Sequence, residues 1–244
     1  MNILLSKPSQ TIKEIKKQLE IPLYIKRRLP LRIDTLIRWG SLREADCVDE
    51  INSVKAIKLS SDKLKCRKVL AEAGIPVPHL GEDRFPCIGR FRYHSGGKNF
   101  FVCQTPYDVE RAKRNGAVYF QQVYPKGKEY RVHIGKNSNG EFKVILYSEK
   151  VGDKMGGIIW NHDIGGFEFI HLGRGERRLD IIELAKKTIE TLGLDFGAVD
   201  IGSNPIYPDY PKCVVFEVNT APALEGYSIQ KYVQYFEELL DDSL

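Results

Sequence analysis

The chain has 244 residues, 42% of them hydrophobic and 28% charged, with a formal net charge of +5; this is the balance of an ordinary globular protein that folding would bury to about 70%. The basic excess is compatible with a nucleotide, an acidic peptide or a nucleic acid and does not choose among them. No run approaches the roughly 20 apolar residues of a membrane span, the apolar stretch at the N-terminus is too short for a signal-peptide core, and the five cysteines lack zinc-site spacing. The expectation is a cytoplasmic protein with reduced thiols.

Residues 3–5 read as a short apolar strand. Thr11 and Glu14 have the spacing of a capping box, and Ile12, Ile15 and Leu19 follow at helical spacing before Pro22. A basic stretch, Lys26 to Arg28, precedes a strand at 34–39, so that residues 1–58 form a small βαββ-like unit. A nucleic-acid-binding helix-turn-helix is the competing reading of this segment, but Pro22 and Pro30 bracket the place of its recognition helix. Residues 61–73 are expected to be helical and to stop at Gly74, and 75–78 must then be extended because of Pro76 and Pro78. Strands at 85–91 and 100–103 flank a loop, 92–99, that carries Ser95, Gly96, Gly97 and Lys98. A short helix at 106–115 leads to strands at 118–123, 130–134 and 142–148. The helix at 179–192 ends at Gly193, and strands at 196–201 and 213–218 enclose a Pro- and Tyr-rich loop. The last helix, 228–240, carries Tyr232, Tyr235, Phe236 and Leu239 on one side. Helices mixed with antiparallel hairpins indicate an α+β architecture.

The strongest chemical signal is in the strand that ends at Glu217, Val218 and Asn219. Side chains at i and i+2 share a face, so Glu217 lies beside Asn219, with Phe216 and Val218 expected on the other side. Asp200, between Val199 and Ile201, supplies a second carboxylate. A hairpin centred on the loop 204–212 would set it opposite Glu217. Two carboxylates and an amide oxygen suit Mg²⁺, which takes one or two carboxylates and completes its shell with phosphate and water; a solvated polar strand face is the plainer alternative. Arg90, His94, Gly96 and Gly97 lie in or beside a glycine loop that can approach phosphate, although the same residues make an ordinary hairpin tip. Glu129, Arg131 and His133 alternate onto one strand face, where an ion pair alone would account for them. There is no Walker P-loop and no dinucleotide fingerprint.

Taken in order, these pieces resemble the ATP-grasp superfamily, nearest to its ribosomal-protein glutamate ligase-like branch of carboxylate-amine ligases. The resemblance runs from about residue 34 to 224 and rests on several stretches. They are Ser61 to Lys63 with Gly74 to Pro78, the strand–loop–strand 85–103, Phe120 to Tyr124 with Glu129 to Arg131, Trp160 and Asn161, and Asp200 with Glu217 to Pro222. It implies an ATP-grasp fold of two α+β subdomains gripping ATP, at 59–124 with the glycine lid and at 125–244 with the metal site. A reduced pre-grasp segment at 1–58 precedes them.

The resemblance also implies roles. Lys63 and Arg90 would hold phosphates, and His94, Gly96 and Gly97 would form the lid. Gln121, Gln122, Val123 and Tyr124 would frame adenine, largely through backbone groups, with Glu129 also on the nucleotide. Asp200, Glu217 and Asn219 would hold magnesium, with manganese as a substitute. Arg131, Lys150 and Asn161 would face the transferred phosphoryl group or the carboxylate. A lysine is usual in the family where Arg90 stands here. The implied partners are a carboxylate substrate and an amine acceptor (amino acid, peptide or protein tail), without membrane or nucleic acid. The implied reaction forms an amide through an acyl phosphate and releases ADP and phosphate. A kinase acting on an anionic alcohol and a non-catalytic ATP-binding module are the competing readings.

Overall fold

A computed structural model describes residues 2–6, 9–25, 28–93, 100–152 and 166–241. The first sheet holds β1 (Ile3–Ser6), β2 (Leu23–Tyr24), β3 (Thr35–Trp39) and β4 (Asp49–Ile51) in the order β2-β1-β3-β4. All its pairs are parallel. Ile3, Leu4 and Leu5 are wholly buried, as the unbroken apolar run of a strand covered on both faces requires. Helix α1 (Gln10–Leu19) is capped by Ser9, whose side chain accepts from the Ile12 amide. The capping box expected at Thr11 and Glu14 is therefore not formed, because the helix starts two residues earlier. Thr11 is buried two residues further on, inside the first turn, where its hydroxyl exchanges hydrogen bonds with the Leu224 backbone at 3.4 and 3.1 Å.

The helix expected at 61–73 is the second of two, α2 (Val54–Ser61) and α3 (Lys63–Glu72). Asp62 separates them, ending the first and capping the second through the Lys65 amide. A short carboxylate that competes for backbone N–H groups favours such a break, and it leaves Lys63 at the first position of α3. Gly74, at φ 71°, ends α3, and the extended segment behind it hands the Pro76 carbonyl to the Val215 amide at 2.8 Å.

The second sheet is antiparallel, with β5 (Cys87–Arg90), β6 (Phe100–Cys103) and β7 (Tyr119–Gln122) in the order β6-β5-β7. Helix α4 (Pro106–Arg114), opened by a Thr105–Asp108 capping box, packs on one face against Cys87, Cys103 and Phe120. By strand alternation the other face carries Ile88, Arg90, Tyr119 and Gln121.

The third sheet holds β8 (Lys128–Lys136), β9 (Phe142–Gly152), β10 (Phe167–His171), β11 (Phe196–Ser203) and β12 (Cys213–Asn219). Its order is β10-β9-β8-β11-β12 and every pair is antiparallel. One face, including Val132, Ile134, Val199, Ile201, Val215 and Val218, forms the main core with α2, α3 and α5 (Leu179–Thr191). On the opposite face α6 (Tyr227–Asp241) covers only one end. There Tyr232, Tyr235 and Phe236 pack with Trp39 and Phe196. Each such aromatic side chain contributes on the order of 4–6 kcal/mol of gross burial energy, so this cluster holds the first and third sheets together.

Asn52 makes a second join. It is buried at φ 66°; its side chain accepts from the Asp195 and Phe196 amides and donates to the Phe196 carbonyl.

Candidate active site

The uncovered end of the third sheet's second face holds most of the chemistry. Its register places His171 opposite Ser148, Ser148 opposite Arg131, Arg131 opposite Asp200, and Asp200 opposite Glu217. One polar row therefore crosses all five strands on a single face. The parallel row beside it runs Phe169, Lys150, Glu129 and Gly202.

The Asp200–Glu217 pairing is the one expected from the hairpin, but the ladder shifts immediately beyond it. Val215 and Val218 both lie in the main core, three residues apart, so Phe216 is an extra residue in the strand. Phe216 thus lies on the face of Glu217 and not on the buried side with Val218. Its ring covers Gly202, where a Cβ would meet it at 2.3 Å. The bulge converts an expected core side chain into part of the cleft floor.

The charged groups of these two rows are paired. Arg131 donates to both oxygens of Asp200 at 2.6 and 2.8 Å. Burial opposes the Arg131 charge, but Asp200 outweighs it and holds the guanidinium above its ordinary pKa. Lys63 Nζ lies 2.8 Å from Glu217 Oε1 and donates to the Val218 carbonyl at 2.9 Å. Glu129 is buried between Lys126 and Lys150, the latter at 2.8 Å. Burial would push its carboxyl up, yet the two lysines hold it below the usual carboxylate range. Lys126 is shifted down by the same burial, with Glu129 opposing.

The second sheet closes over this floor. Arg67 of α3 donates to the Tyr119 hydroxyl at 3.3 Å and to the Phe216 carbonyl, bridging the two sheets. Arg90 is buried on the same side, lowered by desolvation and supported by Tyr119 and Glu217. A cavity of about 1230 Å³ opens beside them, lined by Lys63, Glu217 and Asn219 and by Lys55, Lys58 and Tyr93.

No protein-family description and no curated protein matches the chain by sequence. Solved structures do. The ATP-grasp ligase PsnB complexed with a minimal precursor superposes with a TM-score of 0.71 at 13% identity, covering 99% of both chains. The chain has an ATP-grasp fold. PsnB with a phosphomimetic precursor variant, Mg and ADP gives 0.69 at 14% identity, over 100% of this chain and 99% of that one. N5-carboxyaminoimidazole synthetase from Staphylococcus aureus, complexed with ADP, gives 0.72 at 13% identity, over 100% and 78%.

Within this ATP-grasp fold the structure brings together Lys63, Arg90, Gln121, Glu129, Arg131, Lys150, Asp200, Glu217 and Asn219. Gln122 and Tyr124 are at the expected hinge, but their side chains turn away from the cleft. Gln122 donates to the Tyr210 hydroxyl at 3.0 Å and Tyr124 to the Pro211 carbonyl at 2.6 Å. Backbone groups are what these two positions can offer a base, and Val123 is buried between them. The expected His94, Gly96, Gly97 and Asn161 lie outside the described residues.

Among the described residues no three His, Cys, Asp or Glu side chains cluster as a metal site. Two carboxylates with an adjacent amide, Asn219 Nδ2 lying 3.4 Å from Asp200, nevertheless fit an octahedral hard cation that takes its other oxygens from phosphate and water.

Sequence reasoning missed Arg67, Lys126 and Ser148. Arg67 follows Lys63 by one helical turn, a spacing that marks a shared face. Ser148 carried no signal, because only the strand register shows what it faces, and Lys126 lies in the connection before β8, three residues from Glu129.

Proposed function

We propose that the protein is an ATP- and Mg²⁺-dependent ligase that activates a carboxylate and joins it to an amine. The observation that carries this reading is the transverse row with its neighbour Asn219: Asp200 faces Glu217 across a strand pair, and Arg131 lies next in line. It lies inside a cleft whose other wall bears Arg90 and Lys63.

In this reading Asp200, Glu217 and Asn219 would hold the metal, which supplies charge neutralisation at the phosphates. Lys63 and Arg90 would bind phosphate oxygens. Arg131, held in place by Asp200, would orient the carboxylate and stabilise charge as its oxygen attacks the terminal phosphate. Lys150 would keep Glu129 ionised at the nucleotide end of the cleft. Phe169 covers the Arg131 guanidinium, 4.6 Å from ring centre to carbon. That apolar cover helps keep water from the acyl phosphate before the amine displaces phosphate.

The acceptor is proposed to be a peptide or protein tail. Support comes from the end-to-end likeness to PsnB, whose complex contains a precursor. The partition into a pre-grasp segment at 1–58, a lid-bearing subdomain at 59–124 and a metal-bearing subdomain at 125–244 belongs to the same proposal.

Incubation of the enzyme with ATP, Mg²⁺ and a pool of amino acids and acidic peptides tests the reading. ADP with free phosphate, dependent on the pool, is expected. ADP without free phosphate would instead identify a kinase, and the absence of turnover with intact ATP binding would identify a binding module.

A further inference from the structure

We infer that His171 accepts the proton of the attacking amine, and that its end of the polar row is the acceptor subsite. This rests on the ligase reading above. The row runs from Glu217 and Asp200, where the phosphates are placed, through Arg131 and Ser148 to His171 on the outermost strand. At a strand spacing of about 4.8 Å, His171 is roughly 14 Å from Asp200 along the sheet and about 10 Å from Arg131. An acyl group held over Arg131 therefore lies between the phosphate end and the imidazole. An amine that enters over β10 meets the histidine before it meets the acyl carbon.

The imidazole is held for this task. Its Nδ1 is 2.8 Å from Ser148 Oγ, on a serine that is 1% exposed. The histidine leans inward along the row, although the residue itself is exposed. Its Nε2 is 3.4 Å from Ser228 Oγ at the start of α6, and the ring lies 5.4 Å from that of Tyr227, which is 50% exposed. In the tautomer that donates Nδ1–H to Ser148, Nε2 carries the lone pair, and an entering ammonium group takes the place of the long 3.4 Å contact with Ser228 Oγ. The other histidine on this face, His133, cannot serve. It is sealed against the Tyr232 hydroxyl at 3.0 Å, and burial holds its pKa well below the ordinary value.

The step balances without an external reagent. The ammonium passes one proton to His171 Nε2 and becomes the amine. Its nitrogen lone pair forms the C–N bond while the bond from acyl carbon to phosphate oxygen breaks. The second N–H proton leaves with inorganic phosphate, and His171 returns its proton to solvent.

The test uses the acid and amine identified by the phosphate-release experiment, with wild type and H171Q compared in two reactions. One is amide formation at saturating amine. The other replaces the amine by hydroxylamine, which is uncharged at neutral pH and traps the acyl phosphate as a hydroxamate without needing a base. General-base assistance is worth about 10²–10⁴-fold, so H171Q should lose at least tenfold in amide formation. Its hydroxamate rate should stay within threefold of wild type. A parallel loss of both rates, or an amide rate within fivefold, overturns the assignment. A wild type that yields neither phosphate nor hydroxamate overturns the ligase reading itself, a result distinct from either.

Discussion

Glu129→Gln isolates the buried charge arrangement of Lys126, Glu129 and Lys150. The native carboxylate is 6% exposed and neutralises two lysines that are 7% and 11% exposed. Glutamine keeps the shape and removes the charge, leaving both ammonium groups buried against each other. Breaking a buried ion pair from one side costs about 3–5 kcal/mol. For a chain of this size that corresponds to a fall in Tm of about 6–20 °C.

The pH dependence carries a sign. Glu129 is held below its ordinary value of 4.5, so its contribution is complete above about that pH and is lost as pH falls through the folded value. The stability gap between wild type and E129Q should therefore be full at pH 7 and shrink in acid. In the variant, Lys126, whose pKa burial lowers and which has lost the opposing Glu129 charge, should make stability rise as pH increases towards the lysine range. Urea denaturation across a pH series measures all of this. A loss below 1 kcal/mol at pH 7, or a gap that does not narrow in acid, would refute the burial of the triad as described.

Three further outcomes are expected. Glu217→Gln should abolish Mg²⁺-dependent turnover while circular dichroism shows a retained fold; activity within a few-fold of wild type would remove Glu217 from the metal site. Gly202→Ala places a Cβ 2.3 Å from the Phe216 ring and should cost about 1–3 kcal/mol by overpacking. It should also weaken ATP affinity in calorimetry by disturbing the cleft floor. Asn52→Ala removes three side-chain hydrogen bonds to residues 195 and 196 and leaves buried backbone groups unpaired. A loss of about 2–4 kcal/mol in thermal denaturation is expected, with ATP binding to the remaining folded protein unchanged.

Much of the site was legible because it depends on local rules. Strand alternation placed Glu217 beside Asn219, and the Val199–Ile201 flank marked Asp200 as a carboxylate on a buried strand. Gly74, Pro76 and Pro78 dictated the end of α3 and the extended segment behind it. The illegible parts depend on partners distant in sequence. The bulge at Phe216 leaves no mark in composition, since an inserted residue looks like any other until its neighbour strand is present. What Ser148 and His171 face is fixed only by the β9–β10 register, which puts one against the other. The Gln122 and Tyr124 side chains are drawn to the loop at residues 204–212, which no local pattern connects to the hinge. Cys87 and Cys103 are likewise opposite one another only because β5 and β6 pair.

By itself, then, the sequence determined which strands carry oxygen donors, which helices have an apolar side and where glycine or proline must end an element. These follow from periodicity and backbone sterics within a few residues. Tertiary structure alone decided which charge neutralises which and which polar groups form a line across the sheet. Register is a non-local choice, set when whole faces are buried together, and a shift of one residue would turn the entire row to the opposite side.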